Sequence, residues 1–190
     1  SIFSIRSNGL RVMDLEPGDE LVSVRTAREG AEIVMVTEMG MAARFPIAIV
    51  RVSGRYAGGV RGIRLETEDE VVSMDVVIPG AQLFVVSRRG FGKLTPIQAY
   101  RKTARGAKGV KTLRITDKTG RVAAAHLIMD ETEVMLVSEQ GTIERLALSE
   151  VRITGRIAQG VWVMRDKEKS DMTVATVASI NEHRSPREQD

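Results

Sequence analysis

Short apolar runs recur along this chain at a fixed interval, each followed by a polar turn. Ile33-Val34-Met35-Val36 leads into Glu38-Met39-Gly40, Leu83-Phe84-Val85-Val86 into Arg89-Gly90, and Val134-Met135-Leu136-Val137 into Gln140-Gly141. Apolar runs of this length, closed by turn residues, read as buried strands. Within residues 31–80 the pattern predicts four of them. The first is the run at 33–36. The second, residues 41–47, is broken at Pro46, which lacks the amide a ladder needs and so marks an edge or a strand end. A third starts at Gly59-Val60 and runs through Leu65. The fourth is Val71-Val72-Ser73-Met74-Asp75-Val76, closed by Pro79-Gly80. No amphipathic helical period competes with this reading.

A second pattern fixes the interval. Gly54-Arg55-Tyr56-Ala57-Gly58-Gly59-Val60, Ala104-Arg105-Gly106-Ala107-Lys108-Gly109-Val110 and Gly155-Arg156-Ile157-Ala158-Gln159-Gly160-Val161 superpose at spacings of 50 and 51 residues. A fainter copy begins at Gly9-Leu10. Repeats of this length mark modular arrays, in which a sheet that cannot bury both faces alone stacks on its neighbours. The reading is an all-β, propeller-like array of four-stranded blades over residues 1–180. It divides into a partial repeat (1–30) and repeats 31–80, 81–130 and 131–180. Residues 181–190, beyond this array, carry no apolar side chain and read as a disordered polar tail. The opening at Ser1, partway through a repeat, reads as a segment of a longer polypeptide.

Charge sharpens the picture. The net charge is only +3, yet residues 76–116 hold nine basic side chains and no acidic one: Arg88, Arg89, Lys93, Arg101, Lys102, Arg105, Lys108, Lys111 and Arg114. Such a window attracts a polyanion. A merely solvated face would intersperse acidic residues, as the rest of the chain does.

Chemistry of other kinds is sparse. The absence of cysteine excludes disulfides and thiolate metal sites and fits a reducing compartment. No apolar run reaches membrane-spanning length. His126 falls in a predicted strand as a partly buried, hydrogen-bonded residue, and His183 in the tail. The acidic turns at 66–70 and 130–133 have no histidine co-ligand. Tyr56 follows Arg55, a pairing that can mark a DNA-cleaving tyrosine. Its slot becomes Gly106 and Ile157 in the next two units, so it reads as a variable surface position. No catalytic residue, metal site or cofactor is expected, and the chain by itself reads as a non-enzyme.

The segment Val86-Ser87-Arg88-Arg89-Gly90-Phe91-Gly92-Lys93-Leu94-Thr95-Pro96-Ile97-Gln98-Ala99-Tyr100-Arg101, continued through Arg105-Gly106-Ala107-Lys108-Gly109-Val110, resembles the C-terminal domain of the gyrase A family and of its topoisomerase IV relatives. The resemblance extends over residues 1–178. It implies a β-pinwheel, a propeller variant whose blades exchange strands and whose basic outer rim wraps duplex DNA. It also implies a cytoplasmic, nucleoid-associated bacterial setting. The partners implied are the remainder of the DNA gyrase A-type polypeptide and a separate ATPase subunit. ATP-dependent topoisomerase (isomerase) activity and the catalytic tyrosine would then lie elsewhere. No membrane or small-molecule substrate is implied. The family's Gln-Arg-Arg-Gly-Gly-Lys/Arg-Gly box is met only by Thr103-Ala104-Arg105-Gly106-Ala107-Lys108-Gly109. That departure leaves gyrase and topoisomerase IV types both open.

Wrapping calls for phosphate contacts without base reading, supplied by several cations at once, because bending a short duplex costs about 1–6 kcal/mol. The candidate DNA-binding residues are Arg101, Lys102, Arg105, Lys108 and Lys111, with Arg88, Arg89 and Lys93 nearby. Matching positions are Arg51, Arg55 and Arg61 in the preceding unit and Arg152 and Arg156 in the following one. Trp162 replaces the cation found at Arg61 and Lys111, and structural packing is the favoured reading there. The competing function is a protein-interaction propeller that docks an acidic partner. A continuous cationic outer strip favours DNA, and a single flat face favours the protein.

Overall fold

In the computed structural model the described residues are 12–54, 56–164 and 173–179. They form eleven strands and three single-turn 3-10 helices. The strands are β1 (Glu32–Thr37), β2 (Met41–Pro46), β3 (Val71–Val76), β4 (Gln82–Ser87), β5 (Phe91–Pro96), β6 (Val110–Lys111), β7 (Val122–Ile128), β8 (Glu133–Ser138), β9 (Ile143–Ala147), β10 (Val161–Trp162) and β11 (Val174–Ser179). The apolar runs fall inside β1, β4 and β8, and the polar turns make β1-β2, β4-β5 and β8-β9 antiparallel hairpins. Each 3-10 turn (Ile47–Ile49, Ile97–Ala99, Leu148–Glu150) directly follows the second hairpin strand. Pro46 and Pro96 end their strands, as a residue without an amide donor should.

Three sheets result, with orders β3-β1-β2-β6, β10-β5-β4-β7 and β11-β8-β9. The order corrects one expectation from the pattern. Residues 60–65 form no strand, and the equivalent residues of the next two units, β6 and β10, pair with the sheet of the unit before them. Val110 lies opposite Ala42, and Val161 opposite Gly92. The Gly-Val step is therefore a hand-over between blades. Its glycine sits where the crossing chain touches the preceding hairpin. A Cβ on Gly109 (φ +82°) would lie 2.3 Å from the Ala42 carbonyl oxygen, and one on Gly160 (φ +86°) 2.4 Å from that of Gly92. Only glycine fits this approach.

Apolar side chains meet between sheets. Phe84, Val86 and Leu94 pack with Val134, Leu136, Leu146 and Leu148, while Val34 and Val36 pack with Leu83, Val85 and Leu127. Each such side chain, fully buried, contributes about 1.5–3 kcal/mol. The strands β3, β7 and β11 pack successively against one another. This seam is also polar. Ser73 Oγ donates to the Ala125 carbonyl at 2.6 Å, and Asp75 accepts from the Leu127 amide at 3.1 Å. Arg25 and His126 flank the same carboxylate, at 2.7 and 3.0 Å. Residues 25, 75 and 126 are equivalent positions in successive units, so one slot steps from Arg to Asp to His along the array. His126 is the half-buried, hydrogen-bonded strand residue the sequence predicts.

Candidate nucleic-acid interface

In the first two sheets the edge opposite that seam carries an exchanged strand, β6 or β10. The basic connections run along it, and backbone contacts to the preceding blade hold them there. Thr103 N donates to the Arg44 carbonyl at 2.7 Å, and Arg44 Nη1 returns bonds to the carbonyls of Ile97 (2.9 Å) and Tyr100 (3.2 Å). The buried Tyr100 hydroxyl meets Thr112 Oγ1 at 2.5 Å, tying the two ends of the loop together. Burial raises the Tyr100 pKa above its ordinary value, so the phenol stays neutral. The loop between residues 148 and 161 repeats the plan. Leu94 N donates to the Arg152 carbonyl at 3.1 Å, and Thr154 N to the Leu94 carbonyl at 2.8 Å.

One relationship joins the cations of neighbouring blades. Arg105 Nη1 donates to the Arg61 carbonyl at 2.8 Å, and Arg156 Nη1 donates to the Lys111 carbonyl at 3.1 Å. Arg105 and Arg156 are equivalent, as are Arg61 and Lys111. Each half-buried arginine thus leans on the backbone of the preceding blade's basic residue. A guanidinium has five N–H donors, so this contact leaves others for a ligand. Arg61, Lys111 and Arg152 are exposed, as are Arg51, Arg89 and Arg101. Arg55 lies outside the described residues, as do His183 and the tail at 181–190.

Four of the expected phosphate ligands are otherwise engaged. Lys93 is fully buried, and its Nζ donates to the carbonyls of Gly155 (2.8 Å) and Arg156, so it contacts no solvent-borne phosphate. Arg88 pairs with Glu38 (2.8 Å) and with Glu139 (3.1 Å). Residues 38, 88 and 139 are again equivalent, and they form a Glu-Arg-Glu chain across three hairpin turns. Lys102 pairs with Glu32, whose pKa is lowered chiefly by that lysine, against the opposing effect of burial and with help from Arg44. Lys108 pairs with Glu66 at 2.7 Å, and both side chains are largely exposed. Such exposed pairs are screened and exchange readily. Lys108 therefore remains available to a competing phosphate; Lys102 is itself exposed but holds a largely buried carboxylate, and Arg88 and Lys93 are committed elsewhere.

Trp162 packs on Phe91, with ring centroids 4.0 Å apart, and Lys118 Nζ stands 5.4 Å from the Phe91 centroid. Packing is thus the role this ring visibly has. Two further exposed arginines, Arg64 and Arg114, are not among the candidate ligands, although Arg114 lies in the basic window and the repeat marks both: position 64 becomes Arg114 and then Arg165 in successive units. A shallow cavity of about 580 Å³ lies among Glu38, Glu68, Asp69, Glu70, Arg88 and Arg121, around the Glu38 ion pairs. Among the described residues no group of three or more His, Cys, Asp or Glu side chains is placed to hold a metal, and no helix is long and apolar enough to cross a membrane.

The family model for the DNA gyrase C-terminal domain, beta-propeller, matches residues 1–28, 31–78, 81–129 and 132–178. The chain belongs to the DNA gyrase C-terminal-domain family. The gyrase A protein of Halalkalibacterium halodurans is 52% identical over 181 residues, covering 95% of this chain and 22% of that protein. The gyrase A protein of Clostridium acetobutylicum is 42% identical over 187 residues, covering 98% of this chain and 22% of its own length. The chain therefore spans about a fifth of the gyrase proteins it matches. Among solved structures, a DNA gyrase A C-terminal domain superposes with a TM-score of 0.83 at 25% identity, over 92% of this chain and 59% of that one. The C-terminal domain of DNA topoisomerase IV gives a TM-score of 0.86 at 24% identity, over 94% and 56%, a likeness of fold. The expected all-β propeller array and its family stand. The four matched segments of this gyrase-type domain follow the repeat spacing.

Proposed function

We propose that this gyrase C-terminal-domain chain is a non-catalytic, sequence-tolerant module that binds duplex DNA along its outer rim and bends it toward strand passage. The observation that carries the reading is the repeated arginine-to-carbonyl contact. It sets Arg105 beside Arg61 and Arg156 beside Lys111, so cations of three consecutive units adjoin along one edge. Backbone phosphates recur along a duplex and carry no sequence information, and a row of cations at sheet edges suits them. The working set is Arg51, Arg55, Arg61, Arg101, Lys102, Arg105, Lys108, Lys111, Arg152 and Arg156, with Arg89, Arg64 and Arg114 on exposed positions close in sequence.

The same reading supplies the partners. The rest of a gyrase A-type polypeptide holds the cleavage tyrosine, a separate ATPase subunit couples the cycle to ATP, and the assembly works on the bacterial chromosome in the cytoplasm. It also supplies the division of the chain into a partial repeat and three full ones, with residues 181–190 beyond them. An acidic protein partner is disfavoured, because the relatives across the whole chain are gyrase proteins. The test is a salt titration of affinity for mixed-sequence duplex. Log affinity should fall with log salt at a slope of about −0.9 per phosphate contacted, and equally for unrelated sequences. A flat response, or tighter binding to an acidic polypeptide than to DNA, rules the reading out.

A further inference from the structure

Packing alone gives no reason for Lys93. It lies on β5, fully buried, and no carboxylate pairs with it among the described residues. The fold does not require a cation there. The equivalent residue of the preceding blade is Ala43, also fully buried on β2. A buried charge held only by neutral partners is a cost that a well-packed apolar side chain avoids. What Lys93 does is specific. Its ammonium draws the carbonyls of Gly155 and Arg156 inward, in the loop that carries Arg152 and Arg156. Arg44 does the same one blade earlier, drawing in the carbonyls of Ile97 and Tyr100 ahead of Arg101.

We propose that Lys93 is a positioning residue of the DNA-binding rim: from beneath the sheet it turns the 152–156 loop so that Arg152 and Arg156 face outward against phosphate. The inference rests on the DNA-binding reading and deepens it. Both cations, the buried Lys93 and the half-buried Arg44, then serve the rim without touching the ligand. Titration supports the geometry. Burial first, and the Arg156 charge second, push the Lys93 pKa down to about 8. The other charged or titratable groups around the loop are Glu150, Arg152 and Arg156 on the loop itself, Lys111, whose carbonyl accepts from Arg156, and Tyr100, whose pKa is raised. Strands β4 and β10 contribute none. The cationic form holds the carbonyls more strongly. Affinity for DNA should therefore be full below the Lys93 pKa and fall as pH rises through it.

The test compares the full chain with Lys93→Met by anisotropy on a mixed-sequence duplex, at several salt concentrations and from neutral pH into the mildly alkaline range. For Lys93→Met the expected result is an affinity loss of about threefold to tenfold and a salt slope shallower by about one contact. The urea midpoint should be unchanged or higher, because the apolar side chain removes a buried charge. The unsubstituted chain should lose affinity between neutral pH and about pH 9, a step absent from the variant. Unchanged affinity and slope in a folded Lys93→Met variant overturns the proposal, and so does binding loss that merely tracks a loss of stability. If the variant does not fold, the pH profile of the unsubstituted chain decides, and a flat profile overturns it. Salt-independent binding by the unsubstituted chain instead defeats the DNA-binding reading itself, in the same titration.

Discussion

Arg105 and Arg61 stand 44 positions apart in sequence and meet in space, guanidinium to carbonyl, at 2.8 Å. Two cations that would repel as free side chains are held adjacent because one of them grips the other's backbone. Arg156 and Lys111 repeat the arrangement one blade later at 3.1 Å. The contact serves structure and electrostatics together: it fixes the hand-over between blades and sets the spacing of charge along the rim.

Arg105→Lys keeps the charge but loses the planar fork that serves a carbonyl and a phosphate at once. Its salt slope should match the parent chain while affinity drops by about half to one order of magnitude. Arg105→Gln should also make the slope shallower by about one contact. Parallel anisotropy titrations distinguish the two, and equal slopes for both variants would show that Arg105 meets no phosphate.

Arg88 behaves oppositely. It joins Glu38 and Glu139 at the hairpin turns, and Glu38 is buried. Arg88→Ala leaves, among the described residues, only Arg121, at 2.7 Å, on that carboxylate, so stability should fall by about 1–3 kcal/mol, while affinity for duplex changes less than about twofold within ordinary surface effects. Urea denaturation and DNA titration of the same preparation check both halves.

The strand hand-over predicts a difference between two glycines. Gly59 and Gly109 both have positive φ, but an added Cβ at Gly59 meets nothing within 4 Å, whereas at Gly109 it meets the Ala42 carbonyl oxygen at 2.3 Å. Gly59→Ala should cost only the backbone strain, about 1–2 kcal/mol. Gly109→Ala should cost about 1–3 kcal/mol more, for the displaced strand. Denaturant midpoints with unchanged m-values would measure the gap.

Asp75 supplies a pH dependence. Burial alone would raise its pKa, but the bonds from His126, Arg25 and the Leu127 amide outweigh it and leave the value below the ordinary 3.8. A carboxylate depressed in the folded state contributes stability that is complete above 3.8 and is lost as pH falls through its folded value. Asp75→Asn should be less stable at neutral pH and lose less on acidification. Melting curves from neutral pH into the acid range test this.

Repeat spacing, hairpins and the buried runs were legible because each depends on local pattern: apolar runs of four, turn glycines and a terminal proline. The exchanged strands were not. Val110-Lys111 and Val161-Trp162 are two residues long, and nothing local says which sheet they join. The basic window misled for a related reason. It contains no acidic residue, yet stacking brings carboxylates from outside it: Glu32 to Lys102, Glu38 and Glu139 to Arg88, and Glu66 to Lys108. Lys93 looked like its exposed neighbours because alternation along a strand buried on both faces leaves no polar side to recognise. Arg64 and Arg114 stand at equivalent positions of the repeat, and for Arg64, outside the basic window, charge density along the chain carries no such signal.

The most direct measurement is the distance between the ends of a doubly labelled duplex as the chain binds it. If the adjoining cations of successive blades engage one duplex, energy transfer between the ends should rise on saturation, fall again with added salt, and weaken in a variant with Arg105 and Lys108 reversed to glutamate. Saturable binding that leaves the ends as far apart as in free DNA would contradict a bending rim.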